Sequence, residues 1–222
     1  MSTIQKSTFH FLSSLKQNNN REWFEEHKDR YKEAHKNAIA FADALITEMN
    51  KVDYIDTVSG KKALFRIYRD MRFTKDKTPY KTIFSGGLRR ATRTLRGGYY
   101  FHLEPGGSYV AGGFFGPNSN DLTRIRESIA SDAQPLRTIL DDADFKKTFE
   151  KLQGDQLKTS PRGFSIDHPD IDLLRYKQFY VKHSFTDEEV LHEDFIFEVV
   201  KTYLTLRPYF NYMSEILTAG KK

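Results

Sequence analysis

Apolar residues recur at every third or fourth position through the first fifty residues. Phe9, Leu12 and Leu15 predict a short amphipathic helix, which the asparagines at 18–20 interrupt. Asn20 is placed to cap a second helix carrying Trp23 and Phe24. Tyr31, Ala34, Ala38, Phe41, Ala42, Leu45, Ile46 and Met49 then mark one long stripe, whose alanines let another element approach closely. The helical pattern gives out near Val52.

The period changes in the middle of the chain. Leu64, Arg66 and Tyr68 alternate with Phe65, Ile67 and Arg69 as in a strand, and 76–79 predict a turn. Residues 83–88 form a weaker strand candidate, broken by Gly86-Gly87. Residues 99–104 and 108–115 are clearer strands, joined by Pro105-Gly106-Gly107 as a tight hairpin. No helix lies between these segments, as a parallel crossover requires, so antiparallel pairing is expected.

Helical spacing returns afterwards. Residues 118–120 can cap a helix with Leu122, Ile125 and Ile129, and Pro135 fits the first turn of the next. Phe145, Phe149 and Leu152 predict another short helix, 154–172 a loop, and 179–185 a strand that returns to the sheet. From Asp187 the chain is helical again until Pro208 ends or kinks it. The pattern predicts one α+β domain spanning 1–222, with helical N-terminal and C-terminal regions around a central sheet. That sheet is expected to be curved and mainly antiparallel, with helices packed on one face. Gly97-Gly98 and Gly112-Gly113 are read as strand bends or as points of close backbone approach.

Composition adds several exclusions. With 222 residues, 38% of them hydrophobic, the chain can build a core without staples. The absence of cysteine excludes disulfides, thiolate metal sites and a cysteine nucleophile. No apolar run approaches the ~20 residues of a membrane helix, and the N-terminus lacks the apolar core of a signal peptide. A cytoplasmic protein without a membrane segment is expected.

Charge is concentrated. Residues 61–100 hold twelve Lys or Arg against two Asp or Glu, a local net of +10, so the rest carries −5 of the overall +5. The densest stretch supplies Arg66, Arg69, Arg72, Lys75, Lys77 and Lys81 as candidate anion-binding residues, with Asp70 or Asp76 to orient a basic neighbour. Alternation puts Arg66 and Tyr68 on one strand face and Arg69 on the other, so a bulge or turn is needed to gather them. The competing reading is a set of structural ion pairs on a solvated turn.

Arg89, Arg90, Arg93 and Arg96 extend the positive field toward Tyr99, Tyr100 and Phe101, a combination that can hold single-stranded nucleic acid. No established nucleic-acid recognition motif accompanies it. Tyr99 joins the anion-binding candidates. His102 and Glu104, two residues apart in a predicted strand, share a face and form a candidate catalytic pair for proton transfer. The alternative is a structural histidine bonded to a backbone carbonyl.

The other chemistry is thin. His27, His35, His168, His183 and His192 lack metal-site spacing, and no metal or cofactor is called for. The glycine pairs match neither a phosphate-binding loop nor a dinucleotide fingerprint. Ser85 and Ser108 lack a nucleophile elbow. In 158–170, Lys158 and Arg162 can approach an anion, whereas Asp167, His168 and Asp170 can fix the next helix.

Four segments in order resemble the DUF2461 family over nearly the whole chain: REWFEEHKDRYKEA at 21–34, FRIYRDMRFTKDKTPYKT at 65–82, GGYYFHLEPGGSYVAGG at 97–113 and PRGFSIDHPD at 161–170. The second is the most specific. By this resemblance Arg66, Arg69, Asp70, Arg72, Phe73, Lys75, Lys77, Pro79, Tyr80 and Lys81 fall on the family signature, and Tyr99, Tyr100, His102 and Pro105 on its second motif. The resemblance implies kinship and names no reaction. Three function classes follow: a domain that binds a phosphorylated or otherwise anionic small molecule through a basic pocket, a nucleic-acid-binding domain, and a protein-interaction or structural domain.

Overall fold

The apolar stripes of the first fifty residues become helices α1 (Lys6–Gln17), α2 (Arg21–Glu26) and α3 (Lys28–Met49) in the computed structural model, which describes residues 3–72, 75–90 and 95–219. Asn20 caps α2 as expected, its side chain accepting from Trp23 N at 2.9 Å. Buried Asn37 of α3 accepts from Thr8 Oγ1 of α1 at 2.7 Å and donates to Thr3 O at 2.7 Å. That pairing satisfies a polar group placed among apolar ones and fixes the two helices against each other.

The remaining elements are α4 (Gly60–Ala63), β1 (Phe84–Arg89), β2 (Gly98–Leu103), β3 (Tyr109–Phe114), α5 (Ser119–Ser131), α6 (Gln134–Asp141), α7 (Ala143–Phe149), α8 (Ile171–Leu174), β4 (Phe179–Ser184), α9 (Asp187–Leu191), α10 (Phe195–Thr205) and α11 (Arg207–Thr218). The helix expected from Asp187 is interrupted between α9 and α10. Pro208 sits in the first turn of α11, where its missing N–H costs nothing. Among the described residues no helix is long and apolar enough to cross a membrane.

The fold is α+β, with a four-stranded antiparallel sheet and packed helices. The expected curvature is overturned: the strands run in the open order β1-β2-β3-β4, and the sheet neither curls nor closes. Of the two readings of the glycine pairs, close approach is the one found at Gly113, and Gly86 within β1 shows it too. A Cβ on Gly86 would stand 2.5 Å from the Phe101 ring and 2.7 Å from Ala63 O, and one on Gly113 would stand 2.4 Å from Phe179 O. They admit neighbouring groups at distances no side chain allows.

The chain divides into two compact units. The first comprises Met1–Arg89, Tyr100–Val110 and Ser184–Lys201. Its core gathers Phe11, Leu12, Phe24, Phe41, Phe84 and Phe101, all nearly inaccessible. Phe41 of α3 meets Phe101 edge-on at 5.6 Å and stacks on Phe195 at 5.5 Å. The second comprises Arg90–Tyr99, Ala111–His183 and Thr202–Lys222. There Tyr209 is fully buried, and its hydroxyl donates to Phe179 O at 2.9 Å. Phe210 packs edge-on against Tyr99 at 5.1 Å, and the Arg90 guanidinium carbon lies 4.8 Å from the centre of the Phe210 ring.

Residues 64–69, expected as a strand, form no regular ladder. They run beside 79–86 through isolated antiparallel bridges, Leu64 with Gly86 and Tyr68 with Tyr80. Arg69 N donates to Pro79 O at 2.9 Å and Lys81 N to Ile67 O at 2.7 Å. Ile67 is buried between exposed Arg66 and Tyr68, but Phe65, expected on the same face as Ile67, is exposed, so the alternation holds only at 66–68.

Candidate functional site

A cleft of about 460 Å³ opens in the first unit, lined by Lys16, Asn19, Arg69, Asp76, Thr78, Tyr80, Lys81, Thr82, Ile83, His102 and Glu104. Its construction starts from Asn19, in the break between α1 and α2. Asn19 Oδ1 accepts from Tyr80 N at 3.1 Å and its Nδ2 donates to Tyr80 O at 2.9 Å, so the side chain imitates a neighbouring strand. Tyr80 also stacks on Phe24 at 3.9 Å. These contacts fix the chain on either side of Tyr80, and therefore the starting points of Thr78 and Lys81.

Asp76 closes the preceding turn. Its carboxylate accepts from Thr78 N at 2.9 Å and from Thr78 Oγ1 at 2.8 Å, and pairs with Arg69 Nη1. These bonds, the one from the Thr78 backbone foremost and then those from Arg69 and the Thr78 hydroxyl, hold the carboxyl down at about 2. Arg69 Nη1 also reaches Thr78 Oγ1 at 2.5 Å. Its Nε and Nη2 make no hydrogen bond among the described residues. Lys81 Nζ makes no ion pair among them either and lies 5.9 Å from the centre of the Phe65 ring.

The opposite wall carries a hydrogen-bonded series. Tyr100, His102 and Glu104 share the face set by the two-residue period of β2 and its continuation. Tyr100 Oη lies 3.1 Å from His102 Nδ1, His102 Nε2 lies 3.1 Å from Glu104 Oε2, and Lys16 Nζ lies 3.3 Å from Glu104 Oε1. An ionised carboxylate only accepts, so His102 donates through Nε2–H. In the neutral ring Nδ1 is then the acceptor and Tyr100 the donor. Tyr109 stacks on the imidazole at 4.5 Å and holds its plane. Burial raises the Glu104 pKa, but the bonds from His102 and Lys16 outweigh it and leave the group below its ordinary value.

The structure therefore brings together Arg69, Lys81, His102 and Glu104 from the sequence-derived candidates. The others lie elsewhere. Arg72 is held by Asp70 at 2.7 Å on an exposed turn, and Lys77 donates to Met71 O at 2.9 Å. Lys77 lines a separate recess of about 420 Å³ with Asn19, Asn20, Arg21, Met71 and Pro79. Arg66 and Lys75 are exposed and do not line the cleft. Tyr99 faces away from the Tyr100 side of β2 and is buried beside Tyr203 and Phe210. Phe73 lies outside the described residues.

The second basic run is largely structural. Arg89 pairs with Asp56 at 2.7 Å; Arg90 is buried and donates to Arg96 O at 3.1 Å; Arg96 pairs with Asp121. Arg93 lies outside the described residues. In the later loop, His168 Nδ1 accepts from Asp170 N at 3.0 Å and Asp170 receives Arg137 at 2.8 Å, so this stretch anchors α8. Among the described residues no group of three histidines, aspartates or glutamates converges as a metal set.

Tyr100, Lys16 and Asn19 are not among the sequence-derived site residues, where Tyr100 enters only as a stacking aromatic and as part of the second family motif. Tyr100 was recoverable, because it precedes His102 by one strand period. Lys16 and Asn19 were not, since Lys16 meets Glu104 across 88 positions of chain. In comparison with known proteins, the sequence pattern of a family described as conserved hypothetical protein (DUF2461) matches residues 7–212. No curated protein and no solved structure matches the chain.

Proposed function

The chain belongs to the DUF2461 family of conserved hypothetical proteins, and on that premise we propose that the cleft of its first unit binds a small phosphorylated or carboxylated anion. One observation carries this reading. Two cations on the cleft wall keep uncommitted charge or donors: Lys81 Nζ has no ion pair, and Arg69 has only Nη1 engaged, among the described residues. A guanidinium steadied through one nitrogen presents its remaining N–H groups in a fixed plane, which suits the oxygens of a phosphate or carboxylate. His102 then serves as the proton-transfer group: it takes a proton at Nδ1, and Glu104 stabilises the imidazolium through Nε2–H.

The test is thermal unfolding with inorganic phosphate, ribose 5-phosphate and succinate, at low and moderate salt. A ligand at about a hundred times its Kd stabilises by roughly 2.7 kcal/mol, which raises Tm by about 5–10 °C for a chain of this size. That rise should appear in the wild type and disappear in Lys81→Ala, whose own Tm stays near that of the wild type. A panel in which no anion raises the wild-type Tm overturns the proposal.

A further inference from the structure

We infer that the anion is the phosphate of a nucleotide, whose base lies on an aromatic shelf beside the cleft; this rests on the anion-binding reading above. Phe65 is 50% exposed, in a unit that buries Phe24, Phe84 and Phe101 almost completely. Its backbone is held there by the chain, Phe65 N donating to Ser85 O at 2.9 Å. Phe65 is inclined 29° to Tyr100, with ring centres 6.3 Å apart. Tyr100 in turn adjoins Tyr109 at 5.7 Å. Three half-exposed or exposed rings thus form a row on the first unit, ending at the His102 imidazole.

Lys81 joins the row to the cleft. The same ammonium that lines the cleft lies over the Phe65 ring. A ligand matched to both features needs a flat π-face and an anionic group separated by a short linker, which describes a nucleobase, a sugar and a phosphate. The base stacks on Phe65, and the Lys81 ammonium leaves that ring for the phosphate oxygens. Sequence selectivity is not built in, because every base offers a π-face and the row offers no fixed donor pattern. A dicarboxylate or a plain sugar phosphate uses the cations and leaves the shelf empty.

The experiment compares dissociation constants for ribose 5-phosphate, AMP and UMP by calorimetry, in the wild type, Phe65→Ala and Phe65→Tyr. AMP should bind about ten-fold tighter than ribose 5-phosphate to the wild type. Phe65→Ala should erase that ratio, and Phe65→Tyr should preserve it. Equal binding of AMP and ribose 5-phosphate by the wild type overturns the nucleotide inference and leaves the anion site standing. Binding of neither overturns both. A decathymidylate arm set against TMP separates a free nucleotide from a single strand as the source of the same base-and-phosphate chemistry.

Discussion

Glu104 Oε2 stands 3.1 Å from His102 Nε2, and this contact sets both the tautomer of the ring and the charge of the acid. Because Glu104 is held below its ordinary value, it stabilises the fold above the unfolded-chain value near about 4.3. That contribution disappears as pH falls through the lower folded-state value. Glu104→Gln should therefore cost about 1 kcal/mol at pH 6, a charge-assisted bond discounted for partial exposure. The cost should shrink toward zero as pH falls through the lowered folded-state value. Urea unfolding of both proteins across this range measures the difference. A gap that stays constant with pH would mean that the carboxylate is not held by His102 and Lys16.

Gly113 tests why the strand glycines are there. A Cβ at this position would meet Phe179 O at 2.4 Å and Tyr180 Cα at 2.5 Å, and its φ of +142° is one that side chains rarely adopt. Gly113→Ala should lower stability by about 2–3 kcal/mol. Gly116, with nothing within 4 Å of a Cβ, is the control, and Gly116→Ala should change it by about 0.5 kcal/mol or less. Similar denaturation midpoints for the two variants would return Gly113 to a role in bending the strand.

How much of this was legible depends on sequence separation. The helices of the first fifty residues follow from their own periodicity, and Asn20 caps where its position demands. The β2–β3 hairpin follows from Pro105-Gly106-Gly107 between two aromatic strands. Curvature was expected wrongly because a glycine pair looks the same in sequence whether it bends a strand or, as at Gly113, admits the backbone at Phe179. The basic run predicted a charged region but not its sorting. Asp70 draws Arg72 onto the turn, Asp76 turns Arg69 toward the cleft, and Arg90 enters the second unit's core. Those outcomes depend on turn geometry and on partners such as Asn19, 61 residues from Tyr80.

Asp76 should act as an internal competitor of the anion. Its carboxyl titrates at about 2, so it is charged throughout the neutral range and occupies Arg69 whenever the cleft is empty. An incoming anion meets both that charge and the shared Nη1. Asp76→Asn removes the charge while an amide oxygen can still accept from Thr78 N, now 2.9 Å away. The variant should bind ribose 5-phosphate about five-fold tighter at low salt, with the gain falling toward unity near 0.5 M salt as screening shortens to about 4 Å. In the wild type, affinity should not respond to Asp76 protonation until pH approaches about 2, and carboxyl-carbon NMR should place its midpoint there. Calorimetry on the two proteins decides the matter. Weaker binding by Asp76→Asn would show that Asp76 holds Arg69 in its binding pose and does not compete for it.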